Sequence, residues 1–246
     1  MQTLAILHLY LALLLILTSC KENAPVKADK EKAENHETVG VSVWDRISSR
    51  SEPRRSSDRV TLLSLGEQFL YLDSSAIDSA YNNTRLFYVQ LSDSSRVWVY
   101  DFASVLNAQP AVIVDPVPVY LRPDLLTITD QELNTMEIVA VVEEWDDWIK
   151  VVNEKKEKVG WIKKDFVTYE PIDLAFALLV KRTMETEDPE QRIENLEKLL
   201  EKNPYPATGF IPELTQWLEH EKEAWRESGD DRDRDNRDRR DRRDRD

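Results

Sequence analysis

The sequence predicts a mainly β protein with an α-helical appendage: two small β units in tandem, a short helical segment, and a disordered charged tail. Three observations carry that expectation. From residue 41 to 169, short β-branched and aromatic runs alternate with Ser, Asp and Asn clusters. The same stretch repeats its own pattern. Beyond Pro171 the apolar spacing lengthens to threes and fours, the period of a helix.

Taken in order, the strand signals fall at residues 69–72, 86–91, 96–100, 137–142 and 148–152. Residues 154–158 are all charged and read as a solvated hairpin tip between two strands. Pro110, Pro116, Pro118 and Pro123 are unsuited to central sheet positions, and the first two mark the link between units near Gln109. Residues 172–182 read as a first helix. Asp188, Pro189 and Gln191 then form a helix start, with an Asp N-cap, Pro at N1 and Gln at N3. Ile193, Leu196, Leu199 and Leu200 share one face, and Asn203-Pro204 stops that helix. A third helix begins near Pro212 with Leu214, Trp217 and Leu218 on its inner stripe. Three short amphipathic helices without a large core of their own are expected to pack on the β part. From Asp230 the chain holds eight Asp and eight Arg in 17 residues, too polar for any core.

Composition narrows the function. A net charge of −14 repels phosphate backbones, so no nucleic acid partner is expected. Five Gly and the absence of a GxGxxG or GxxxxGK[ST] run speak against a nucleotide loop. A single Cys permits no intramolecular disulfide and no Cys-based zinc site. Of His8, His36 and His220, only the last lies in a segment expected to fold, which leaves Ser-His-Asp and Cys-His chemistry without parts. The acid pairs Glu143-Glu144 and Asp146-Asp147 point apart on a strand or turn. The reading is therefore a protein that is not an enzyme and needs no cofactor or metal.

Residues 4–17 are an apolar run with the length of a signal-peptide core, short of the ~20 residues that span a bilayer. They end in Leu17-Thr18-Ser19-Cys20, and Lys21, Glu22 and Asn23 follow. This pattern resembles the lipobox of bacterial lipoproteins. The resemblance implies that residues 1–20 hold the signal peptide, that Cys20 is lipidated, and that the mature chain starts there. Met1-Gln2-Thr3 lacks the usual Lys or Arg. Two or three acyl chains give stable anchoring where one is marginal. Residues 21–40 are polar and read as a flexible tether with a reach of about 25 Å. Lys21 in place of Asp favours the outer over the inner membrane, in a periplasmic or surface-exposed location of the cell envelope.

The repeat carries the second resemblance. In residues 110–169, Tyr120-Leu121-Arg122-Pro123, Trp148-Ile149-Lys150-Val151 and Gly160-Trp161-Ile162 resemble the bacterial SH3-like (SH3b) domain. In residues 41–109, Arg50 and Pro53 stand for the opening and Val97-Trp98-Val99 for the closing strand, with Val97 in place of the Gly. The middle of this first, degenerate unit is lengthened by residues 74–84. Each closing Trp is expected to plug one end of its barrel. The full order is then a signal peptide (1–20), a tether (21–40), SH3-like units (41–109 and 110–169), a helical appendage (170–227) and a tail (228–246).

In the SH3b family, modules recognise peptidoglycan peptides or contact proteins through aromatic rings and acids between variable loops. The resemblance implies Trp145, Asp146, Asp147 and Trp148 as ligand-binding candidates in the second unit, and Tyr81, Phe87 and Tyr88 in the first. Carboxylates would pair with ligand amines and rings would stack on apolar stems. The bland alternative makes Trp98, Trp148 and Trp161 core. The leading expectation is a lipid-anchored envelope protein binding peptidoglycan peptide or an envelope protein without catalysis. The alternatives are a structural or assembly lipoprotein with only protein contacts, and an accessory subunit of a cell-wall hydrolase.

Overall fold

The computed structural model describes residues 37–243, with side chains as far as Glu227. Two seven-stranded antiparallel sheets come first. One contains β1 (Val39–Ser42), β2 (Ile47–Arg50), β3 (Arg59–Leu63), β4 (Gln68–Asp78), β5 (Thr84–Gln90), β6 (Arg96–Tyr100) and β7 (Ser104–Leu106). The other contains β8 (Gln109–Ile113), β9 (Val117–Tyr120), β10 (Ile128–Leu133), β11 (Ile138–Trp145), β12 (Trp148–Val152), β13 (Val159–Lys163) and β14 (Val167–Thr168). Helices α1 (Pro171–Met184), α2 (Pro189–Glu201) and α3 (Ile211–Arg243) follow.

The strand order of the first sheet is β3-β2-β6-β5-β4-β1-β7, and that of the second is β10-β9-β13-β12-β11-β8-β14. Adding seven to every label of the first order yields the second, so the sequence repeat is a repeat of topology. Each sheet curls round one core, since Ala111, Val119, Leu133, Val139, Ile149 and Ile162 from six strands of the second meet in a single cluster. The chain thus is two small β units followed by helices, as the sequence predicts.

Strand registers refine the alignment. Arg50 pairs with Trp98 and Tyr120 with Trp161, so Arg50 occupies the place of Tyr120 rather than that of Arg122. One residue earlier, Ser49 stands where Val119 stands. A Cβ on Gly160 would collide with the Val119 side chain and lie 2.7 Å from the Tyr120 carbonyl. Val97 takes the glycine's place in the first unit, where the equivalent of Val119 is the small, fully buried Ser49. The lost glycine is thus matched by a lost side chain on the neighbouring strand. The prolines also differ from the simple expectation. Pro110 and Pro118 lie within strands, where Pro110 pairs with β11 and Pro118 with β10, and neither is matched on its other side. A missing N–H costs little there.

The closing tryptophans do not plug the barrels. Along β12 and β13, Ile149, Val151 and Ile162 face the core, so Trp148 and Trp161 project from the opposite face by the period of two. There they form a separate buried cluster with Tyr120. Trp98 is likewise outside its unit's main core, tilted against Tyr88 at 5.0 Å.

The two units touch through Val41, Val43 and Ala108 against Ala140 and Val152. The charged β12–β13 tip is exposed at Lys155, Lys156 and Glu157, as expected, and it also touches the first unit. Lys155 N–H donates to the Val43 carbonyl (2.8 Å), and Lys156 Nζ to that of Asp101 (3.0 Å). Burial pushes the Lys156 amine below its usual range. Left-handed Lys155 and Lys156 (φ 58° and 60°) hold this geometry.

The helices pack on the β part. Phe176, Ala177 and Val180 of α1, Leu196 and Leu199 of α2, and Leu214 and Leu218 of α3 join Leu65 of the first unit and Val112, Met136 and Ile138 of the second in one core. Asp188 caps α2 by accepting from the Glu190 and Gln191 N–H groups. Arg182, in the last turn of α1, reaches Asp45 through two hydrogen bonds (2.7 and 2.9 Å) and Ser64 (3.1 Å).

One expectation at the amino-terminal end is corrected. Val39 and Gly40, assigned to the tether from sequence, open β1; Gly40 is required because a Cβ there would enter the Phe69 ring. At the other end the helical backbone of α3 runs to Arg243. The leader, Cys20 and tether residues 21–36 lie outside the described residues.

Candidate functional site

The β11–β12 hairpin turns on two residues, Asp146 and Asp147, between the paired residues Trp145 and Trp148. Asp146 is left-handed (φ 55°), a conformation that Asp tolerates better than most residues. Trp145, at the start of this turn, is 65% exposed. Trp148 is 6% exposed, its ring edge-on to Tyr120 at 5.0 Å, with Lys163 Nζ 4.0 Å from its centroid on β13. Of the two indoles, only Trp145 offers open ring surface, while Trp148 supports the hairpin from below.

The two carboxylates also differ. Asp147 contacts Lys163 Nζ, and this hydrogen bond holds its carboxyl below the usual aspartate range. Lys164 braces the turn through its main-chain N–H to the Asp147 carbonyl (3.0 Å) and its Nζ to the Asp146 carbonyl (2.8 Å). The Asp146 side chain is exposed and has no protein partner among the described residues. An incoming amine therefore meets a free carboxylate at Asp146 and a compensated one at Asp147. Further along the strands, Lys150 lies 3.8 Å from Glu143 and 6.0 Å from the Trp161 ring.

The first unit does not gather its candidates on one surface. Phe87 packs edge-on to Tyr71 (5.4 Å) against the core, and Tyr88, the next residue on β5, faces the other way onto Trp98. Tyr81 lies beyond both, in the β4–β5 tip, with the Arg55 guanidinium 4.2 Å above its ring. Residues 74–84, which lengthen this unit in sequence, extend the β4–β5 hairpin as far as Asp78 and Thr84.

Sequence reasoning missed Lys163, Lys164 and Tyr120. Lys163-Lys164 directly follows Gly160-Trp161-Ile162. Counting back from the hairpin tip opposes Lys163 to Trp148, a signal available once β12 and β13 are paired. Among the described residues, no group of three His, Cys, Asp or Glu is placed to hold a metal ion, and no helix is long and apolar enough to cross a membrane.

No family model matches the sequence, and no curated protein does. Among solved structures, NlpC2 from Trichomonas vaginalis aligns with 68% of this chain and 56% of its own, at 12% identity and a TM-score of 0.24. NlpC1 from the same organism aligns with 55% and 46%, at 12% identity and a TM-score of 0.25. This chain thus spans about half the length of those structures. So slight a likeness transfers neither fold nor activity.

Proposed function

We propose that this chain is a non-catalytic binding protein of the bacterial cell envelope, lipid-anchored through Cys20. Its second SH3-like unit takes a peptidoglycan peptide at the β11–β12 hairpin. The observation that carries this reading is Trp145, an indole 65% exposed on a braced turn beside the free carboxylate of Asp146. An aromatic face next to an unpaired acid suits a ligand with an apolar stem and an amine. Lys163 and Lys164 fix the turn, so little ordering is needed on binding.

The test is co-sedimentation of the chain from residue 21 onward with purified peptidoglycan. Trp145→Ala and Asp146→Asn are each expected to weaken retention by about tenfold, the equivalent of ~1.4 kcal/mol. Retention unchanged in both variants would refute the site. Recovery of an envelope protein but no wall polymer would favour the assembly reading, and wall cleavage by the pure protein the hydrolase-linked one. Cys20→Ala is expected to abolish acyl labelling and membrane association.

A further inference from the structure

The first unit holds a cleft that the hairpin site does not use. It measures about 560 Å³ and is lined by Arg54, Arg55, Ser56, Asp78, Ala80 and Tyr81. Its walls are the β2–β3 loop (residues 51–58) and the β4–β5 tip (residues 79–83). The equivalent β9–β10 loop of the second unit carries the exposed Leu121, Leu125 and Leu126 instead.

Asp78 builds this cleft. It is 7% exposed, and its oxygens accept from Arg55 N–H (2.7 Å) and Ala80 N–H (3.1 Å), one on each wall. Its charge is thereby engaged by the backbone. Arg50 ties the loop from behind through the Ser57 carbonyl (3.0 Å) and the Tyr100 hydroxyl (3.1 Å). Arg54 is paired with Glu52. The Arg55 guanidinium lies over the Tyr81 ring at 4.2 Å, and its N–H donors have no protein acceptor among the described residues. Four arginines stand against two acids between residues 50 and 59, in a chain of net charge −14. A stacked guanidinium with free edge donors is pre-set for a two-oxygen acceptor.

We propose that this cleft binds a small oxyanion, a carboxylate or phosphate group, with Arg55 as its two-pronged donor and Tyr81 as the platform that holds the guanidinium. Two sources share that chemistry: a peptide terminus and a phosphorylated polymer or headgroup. The proposal does not depend on the hairpin site.

The test is a titration of the chain from residue 21 onward, at low salt, with inorganic phosphate, N-acetyl-alanyl-alanine and the C-terminal amide of that dipeptide. The readout is the ¹H–¹⁵N shifts of the Arg55, Ser56, Ala80 and Tyr81 amides and of Arg55 Nε–H. Saturable shifts with phosphate or the free dipeptide, and none with the amide, are expected. Phosphate alone would point to the phosphorylated source, and the dipeptide alone to the peptide terminus. Arg55→Gln should weaken binding about tenfold. It leaves the main-chain bond to Asp78 in place, so an unchanged amide spectrum elsewhere certifies the fold. Trp145→Ala should leave this affinity untouched. The absence of saturable shifts with both anions, or an affinity unaltered in Arg55→Gln, would overturn the proposal.

Discussion

The two β units share one topology and differ in almost everything that topology does not fix. Their strand orders are the same under a shift of seven, and their β3–β4 and β10–β11 turns share one hydrogen-bond scheme. Glu67 N–H donates to the Ser64 carbonyl (3.1 Å) and Glu137 N–H to that of Asn134 (3.0 Å), with left-handed Gly66 and Met136 in the same place. Their loops diverge in sign and length. The first unit has a basic β2–β3 loop and a long β4–β5 hairpin; the second has a leucine-bearing loop and a two-residue acidic turn with an exposed indole. A sheet's register is set by main-chain pairing and by which face is buried. Loop side chains escape both constraints, so duplication preserves the frame while the rims change chemistry.

The largest test of the comparison is inside the frame. Gly160→Val installs the residue of the first unit without its partner, and overpacking against Val119 and the Tyr120 carbonyl is expected to cost about 3 kcal/mol in denaturant unfolding. Adding Val119→Ser, which copies Ser49, should recover part of that loss. If the double variant is no better than the single one, the two pairs are not equivalent.

A smaller effect is expected where the first unit meets α1. Arg182→Leu leaves Asp45, whose side chain is 7% exposed, without its main partner and should cost about 2 kcal/mol. The pH dependence has a definite sign. Burial acts to raise the Asp45 carboxyl, but the Arg182 hydrogen bonds, the Leu65 N–H and the Arg182 charge prevail, so it lies below its ordinary value of 3.8. Its contribution is therefore fully present above 3.8 and lost as pH falls through the lower folded value. In Arg182→Leu, by contrast, protonation relieves a buried charge. The gap between wild type and variant should narrow on going from neutral pH to about pH 3. A gap that stays constant would show that the pair contributes nothing through charge. The smallest effect belongs to the rim: Trp145→Ala should change unfolding stability by less than about 0.5 kcal/mol while weakening wall retention.

Much of the fold was legible because it is local. Strand runs bounded by Ser, Asp and Asn gave the β texture, and Asp188-Pro189 with Asn203-Pro204 marked α2 at both ends. The repeat was visible through Trp98 and Trp161, which occupy equivalent pairing positions. Of the candidate site, Trp145 and the two aspartates were readable as an aromatic-acidic turn. The burial of Trp148 was also readable, as the core alternative, but that Lys163 occupies Asp147 and that Tyr120 covers Trp148 was not, since each depends on the neighbouring strands.

The sequence by itself determined the two β units, their order, the three helix starts and the charged surface, because period, caps and turn residues act within a few positions. Tertiary structure alone decided the rest. It brought the solvent-facing 154–158 tip into contact with Val43 and Asp101, set Trp148 and Trp161 outside the barrel core, and joined Asp45 to Arg182 across 137 residues. Such contacts follow from how whole sheets and helices stack, which no window of neighbouring residues encodes.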